Sequence, residues 1–170
     1  PGVYNVYDVD KSGKKLYKTT VMPNHGAWLE FEQDSQGVLW VHVDKARKIA
    51  ATTLLRALGF GSNLTLNELF ENNAMIATTM EKDVANSEQK GLEELYKKLR
   101  PGEIFSNDAV RQYLKNTFFD TRRYDLARVG RYKYNKRLCM ANRLAGLTVM
   151  EEPAEQIGMI GLYDHELPKR

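Results

Sequence analysis

The sequence predicts an α+β fold, an antiparallel β-hairpin or sheet followed by several short helices. Three observations carry that expectation. Two neighbouring segments alternate apolar and polar residues with period two, the period then lengthens to three and four, and the strands come first instead of alternating with the helices.

The first alternating run is Ala27-Trp28-Leu29-Glu30-Phe31-Glu32. Ala27, Leu29 and Phe31 face a core, while Trp28, Glu30 and Glu32 face the other way. After the turn signal Gln33-Asp34-Ser35-Gln36-Gly37, Leu39, Val41 and Val43 point inward, and Trp40, His42 and Asp44 point outward. A five-residue loop would set Phe31 opposite Leu39 and Trp28 opposite His42, leaving both tryptophans on the outer face. A covering helix is the simpler expectation for Trp40; an uncovered Trp28 would be a stacking platform. The β-rich segments 16–22 and 2–7 add a third and a fourth strand.

Residues 50–58 read as a short helix closed by Gly59, and Thr65-Leu66-Asn67-Glu68 has the spacing of a capping box opening the next. Leu92, Leu95, Tyr96 and Leu99 make 87–99 an amphipathic helix that stops before Pro101-Gly102. Ser106 can cap another, with Val110, Tyr113, Leu114, Thr117 and Phe118 on one stripe. Gly130 reads as a turn, with a further helix near 138–144. The tail 151–170 has no clear period, and the chain divides into a domain over 1–146 and a divergent or loosely structured segment over 147–170.

At 170 residues, with 42% hydrophobic and 28% charged residues, the chain has the proportions of one globular domain, not of a fibrous or disordered one. The single Cys139 excludes an intrachain disulfide, and three scattered His give no zinc spacing. No apolar run approaches the roughly 20 residues that span a bilayer, and no signal peptide is legible, so a cytoplasmic location without membrane contact is expected. The first residue is Pro1, which is compatible with a processed terminus and fits a piece excised from something longer.

The net charge of +3 conceals a local asymmetry. Residues 66–94 carry seven acids against Lys82 and Lys90, whereas 122–143 carry eight bases against Asp125 alone. Tyr124, Tyr132 and Tyr134 lie among those bases. Cations neutralise phosphates and rings stack on bases, so the segment suits a nucleic acid; a solvated basic loop with its tyrosines in the core fits the pattern equally well. Lys45, Arg47 and Lys48 form a second basic cluster, joined by Arg56, and the two clusters would make one positive face if the fold set them side by side.

Catalytic motifs are missing. The sequence contains no phosphate loop, dinucleotide fingerprint, zinc-protease helix or nucleophile elbow. Glu30 and Glu32 share a strand face but read as solvent-facing acids, His25 as a turn residue and Cys139 as a buried thiol. The residues by themselves point to a binding module and to no catalytic residue.

Several ordered blocks carry more. Pro1-Gly2-Val3-Tyr4, Gly26-Ala27-Trp28-Leu29-Glu30-Phe31-Glu32, Val43-Asp44-Lys45-Ala46-Arg47-Lys48 and Leu54-Leu55-Arg56-Ala57-Leu58-Gly59 resemble the lobe region of the bacterial RNA polymerase β subunit. Tyr96-Lys97-Lys98-Leu99-Arg100-Pro101-Gly102-Glu103, Asn116-Thr117-Phe118-Phe119 and 123–138 follow in the family's order, and the form without large insertions is similar to clostridial relatives. Ala46 departs from the pattern, standing where a basic residue is common, and the likeness stops near Gly146.

The resemblance implies a lobe that walls the cleft for downstream duplex DNA and contacts the non-template strand. Trp28 matches a tryptophan that stacks on an unpaired non-template base. Asp44 and Lys45 match an Asp-basic pair beside that strand, and Arg131 matches an arginine lining the same groove; Arg47 and Lys133 join them as DNA-binding candidates. The implied partners are DNA, the β′ and α subunits, sigma factor and transcription regulators, in a nucleoid-associated enzyme. The resemblance also implies that this chain holds no cofactor, the polymerase's Mg2+ being bound by another subunit, and that the isolated chain is inactive. A protein-docking module for sigma factor or regulators is the alternative, since the acidic stretch 66–94 suits a basic partner.

Overall fold

In the computed structural model, which describes residues 1–138, five strands form one antiparallel sheet in the order β1-β2-β3-β4-β5. They are β1 (Gly2–Val9), β2 (Lys15–Met22), β3 (Leu29–Gln33), β4 (Leu39–Val43) and the two-residue β5 (Ile49–Ala50). Six helices follow: α1 (Ala51–Ala57), α2 (Asn63–Leu69), α3 (Ala74–Lys82), α4 (Glu88–Leu99), α5 (Asn107–Leu114) and α6 (Ala127–Leu138), with a single π-helical turn at Lys115–Phe119. The α+β expectation is met, strands before helices. β5 and α3 were not anticipated, the one being too short for a visible alternation and the other, AMIATTMEK, being dominated by small residues and threonines.

The described residues separate into two compact units, one of Pro1–Tyr4, Thr20–Trp28 and 114–138, the other of Asn5–Thr19 and Leu29–Tyr113. In the second unit, Leu29, Val41, Val43 and Ile49 are buried from the sheet, and Leu54, Leu66, Ile76, Leu92 and Leu95 from the helices around it. Full burial of each such side chain is worth about 1.5 to 3 kcal/mol. α1 lies chiefly against α4. Gly91 makes that approach possible: a Cβ there would come within 2.8 Å of Arg56 Cβ and 2.9 Å of the Ala57 backbone nitrogen. Thr79 of α3 fastens the start of β4, its hydroxyl accepting from the Leu39 N–H at 2.9 Å and donating to the Met75 carbonyl at 2.6 Å.

The β3–β4 register differs from the expected one. Glu30, not Trp28, lies opposite His42, and Phe31 lies opposite Val41. The cause is Asp34. Its carboxylate accepts the N–H groups of Gln36 and Val38, both at 2.9 Å, and its own N–H donates to the Val38 carbonyl, so the five-residue loop is 34–38 instead of 33–37. The displacement of the pairing is two residues, which keeps every side chain on its anticipated face.

Helix starts are corrected in the same way. Ser62, not Thr65, caps α2, with Ser62 Oγ accepting from the Thr65 N–H at 3.0 Å. Thr65 therefore occupies the third helical position. Ser106 caps α5 as anticipated, and Ser87, expected as the first residue of the 87–99 helix, is instead the cap of α4. Gly130 is not a turn but an interior residue of α6, where a Cβ would stand 3.1 Å from Pro1 Cβ. Cys139 and the segment 147–170 lie outside the described residues.

Candidate nucleic-acid interface

Trp28 sits one residue before β3, on the polar margin the alternation assigned to it, and is 38% exposed. Its position follows from its neighbours: Leu29 is buried, and Gly26 passes so close to α6's approach that a Cβ would lie 2.8 Å from both the Arg123 carbonyl and Tyr124 Cδ2. Backbone hydrogen bonds between His25 and Asp125, at 3.1 and 2.8 Å, fix this crossing. His25 is thus a bridge residue and not a simple turn. Trp40 is not a second platform. Its indole Nε1 donates to Asp34 Oδ2 at 2.9 Å, and Lys48 Nζ lies 4.9 Å from its ring centre.

Asp44 and Lys45 are the exposed central residues of a turn closed by the Ala46 N–H on the Val43 carbonyl at 2.9 Å. Both have positive φ, 48° and 67°. Asp adopts that region readily, whereas Lys does so against a steric cost of about 1 to 2 kcal/mol. Arg47 is exposed just beyond. His42 steadies the turn, its Nδ1 and the Ala46 carbonyl 3.0 Å apart and its Nε2 and Glu32 Oε1 3.1 Å apart.

In the other unit, Asp125 organises the entry to α6. Its Oδ1 accepts the Ala127 N–H at 2.9 Å and Arg131 Nη2 at 3.2 Å. Arg131 is consequently held with little of its side chain exposed, while Lys133 is exposed and lays its stem over Gly2. The three tyrosines of this basic segment divide. Tyr124 and Tyr134 are buried, and burial holds both hydroxyls protonated, Tyr134 being pushed up to about 12. Tyr132 is 52% exposed, and with Arg128 and Lys136 it recurs every four residues along the open face of α6. That stripe is hidden to sequence reasoning that breaks the helix at Gly130.

Of the six DNA-binding candidates, Trp28, Arg131 and Lys133 belong to one unit and Asp44, Lys45 and Arg47 to the other. Arg56 leaves the basic cluster altogether. It is 1% exposed, and its Nε meets Asp83 Oδ2 at 3.3 Å in the interior of the second unit. Glu30 and Glu32 are likewise not a catalytic pair: Glu30 is bonded to Lys18 at 2.8 Å and Glu32 faces His42. Among the described residues, no group of three or more His, Cys, Asp or Glu could hold a metal ion, and no helix is long and apolar enough to cross a membrane.

Comparison with known families decides the assignment. The family described as RNA polymerase Rpb2, domain 2, matches residues 1–145. The chain belongs to the RNA polymerase Rpb2 domain 2 family. Among its relatives is the DNA-directed RNA polymerase subunit beta of Clostridium botulinum (strain Alaska E43 / Type E3), 46% identical over 92% of this chain and 13% of that protein. The subunits of the same name from Acetivibrio thermocellus and Alkaliphilus oremlandii are 47% and 49% identical, over 89% and 86% of the chain and 12% of each relative. The chain therefore spans about an eighth of the length of the curated relatives it matches. All the blocks quoted for the lobe resemblance fall within the region this Rpb2 domain 2 match covers.

Proposed function

We propose that this chain is the lobe portion of a DNA-directed RNA polymerase β subunit and walls the downstream DNA cleft, touching the non-template strand. It contributes no catalytic residue to the nucleotidyl transfer. Its partners in this reading are DNA and the other polymerase subunits, in the cytoplasm and at the nucleoid. The observation that carries the reading is Trp28, a large aromatic ring 38% exposed to solvent; the resemblance of its block to the lobe region implies the stacking role. Stacking is tolerant of sequence because every base has a π-face, and basic side chains such as Lys45, Arg47 and Lys133 add attraction to phosphates without reading bases. A translocating enzyme needs contacts of that kind.

Titrating the chain with a short DNA single strand while following tryptophan emission tests this. Quenching that weakens steeply with added salt and disappears in Trp28→Ala is the expected result; salt-insensitive or unchanged quenching in the variant rules the stacking role out. A second reading is favoured by α2, which exposes Leu64 and Leu69 beside Glu68 and Glu71. An acidic surface with apolar contacts suits a basic segment of sigma factor or a regulator. A complex with sigma factor that Leu64→Ser and Leu69→Ser together abolish would support it.

A further inference from the structure

Three lysines converge on one cavity of the second unit. The hollow measures about 210 Å³, and Trp40, Ile49, Ala50, Lys48, Lys82 and Lys98 are among the residues that line it. Elsewhere in this unit several exposed bases are paired with acids: Lys18 with Glu30, Lys97 with Glu93 and Glu94, Arg111 with Glu88. Among the described residues none of the three cavity lysines has an acid within 4.0 Å. The two acids lining the cavity are already engaged. Asp83 accepts from Thr52, Thr53 and Arg56, and Glu94 from Lys97. Val84, also lining the cavity, is 75% exposed, leaving apolar area next to unmatched positive charge.

We propose that this cavity docks an acidic segment of a partner protein, seating one aliphatic side chain against Trp40 and Val84 while flanking carboxylates pair with Lys48, Lys82 and Lys98. The chemistry favours a peptide over a nucleotide. The hollow is smaller than the roughly 300 Å³ at which pockets for drug-sized ligands begin. Lys48 already stands over the Trp40 ring and Asp34 holds its N–H, so no base can stack there without displacing them. The proposal goes beyond DNA binding and uses none of the residues assigned to it.

The test uses the whole chain carrying Trp28→Phe, which leaves Trp40 as its only tryptophan. The probes are an acidic heptapeptide with a central leucine, the same peptide with every acid replaced by its amide, and a short DNA single strand. A saturable change in Trp40 emission is expected with the acidic peptide, absent with the amide peptide. Affinity should fall about tenfold in each of Lys48→Glu, Lys82→Glu and Lys98→Glu, and less in the Gln versions, whose fold is checked by circular dichroism. No saturable response, equal binding of the amide peptide, affinity indifferent to all three lysines, or displacement of the peptide by DNA overturns the proposal.

Discussion

The Arg56 guanidinium and the Asp83 carboxylate meet with both side chains shut away from water, 1% and 0% exposed. Each has further partners: Thr52 and Thr53 hydroxyls donate to Asp83, both at 2.6 Å, and Arg56 donates to the Gly61 carbonyl and Asn63 Oδ1. The pair ties α1 to the segment after α3 and to the start of α2. Removing the arginine would leave a carboxylate desolvated without its counter-charge. Arg56→Met should therefore lose about 3 to 5 kcal/mol in urea unfolding. Arg56 is no part of a phosphate-facing cluster, so the fraction still folded should bind DNA as before; weaker binding by folded Arg56→Met would contradict the burial.

Gly91→Ala and Gly26→Ala should both destabilise, for different reasons. In α4 an alanine gains about 1 kcal/mol of helix propensity, but its Cβ would press on the Ala57 nitrogen at 2.9 Å, which is backbone and cannot yield. A net loss of about 1 to 2 kcal/mol is expected. Gly26 adds a φ of 123° to its 2.8 Å approaches, and about 2 to 4 kcal/mol should be lost. Thermal melts of the two variants, ranked in this order, check the argument.

Lys45→Gly should separate stability from binding. Relief of the positive φ at this residue raises stability by up to about 1 kcal/mol. If Lys45 contacts DNA, the same change flattens the salt dependence of binding by about one phosphate contact. Denaturation midpoints and a salt titration on one preparation read both effects.

Two pH limits follow from the buried and bonded groups. Partial burial pushes the Asp34 carboxyl up, but the hydrogen bonds from Trp40, Val38 and Gln36 outweigh it and hold the group below its ordinary value. A depressed carboxylate contributes stability above its unfolded value of about 3.9, and that contribution disappears as pH falls through the lower folded value. Below about pH 4, Trp40 emission should change as the hairpin loop loosens, and Asp34→Asn should remove that step.

At the alkaline end the sign reverses. Tyr134, pushed up to about 12 by burial, contributes fully below the unfolded value of about 10, and its contribution fades as pH rises toward the folded value. Tyr134→Phe should extend the folded range upward, read as a later alkaline transition in near-ultraviolet circular dichroism. An unchanged midpoint would mean that this ring is not sealed from water.

Much of the fold was legible because local chemistry determines it. The period-two rows of β3 and β4 and the serine cap of α5 are written in neighbouring residues. What escaped depends on distant partners. Arg56 looks like a surface base until Asp83, 27 residues away, is seen to receive it, and Gly130 looks like a turn until Pro1 is found against it. The candidate site rests chiefly on the family resemblance; residue patterns alone did not distinguish exposed Tyr132 from buried Tyr124 and Tyr134.

The His25–Asp125 bridge joins residues 100 positions apart in sequence, and the unit that contains it also draws on Pro1–Tyr4 and residues 114–138. Such a unit cannot close on itself while a ribosome is still making its later part. The second unit, whose residues end at Tyr113, can mature first. Loop-closure entropy then sets the pace of the last step. During synthesis Trp28 and the strand ends beside it wait unsupported, and this is the interval in which a nascent chain would be most open to proteolysis or to misplaced strand pairing.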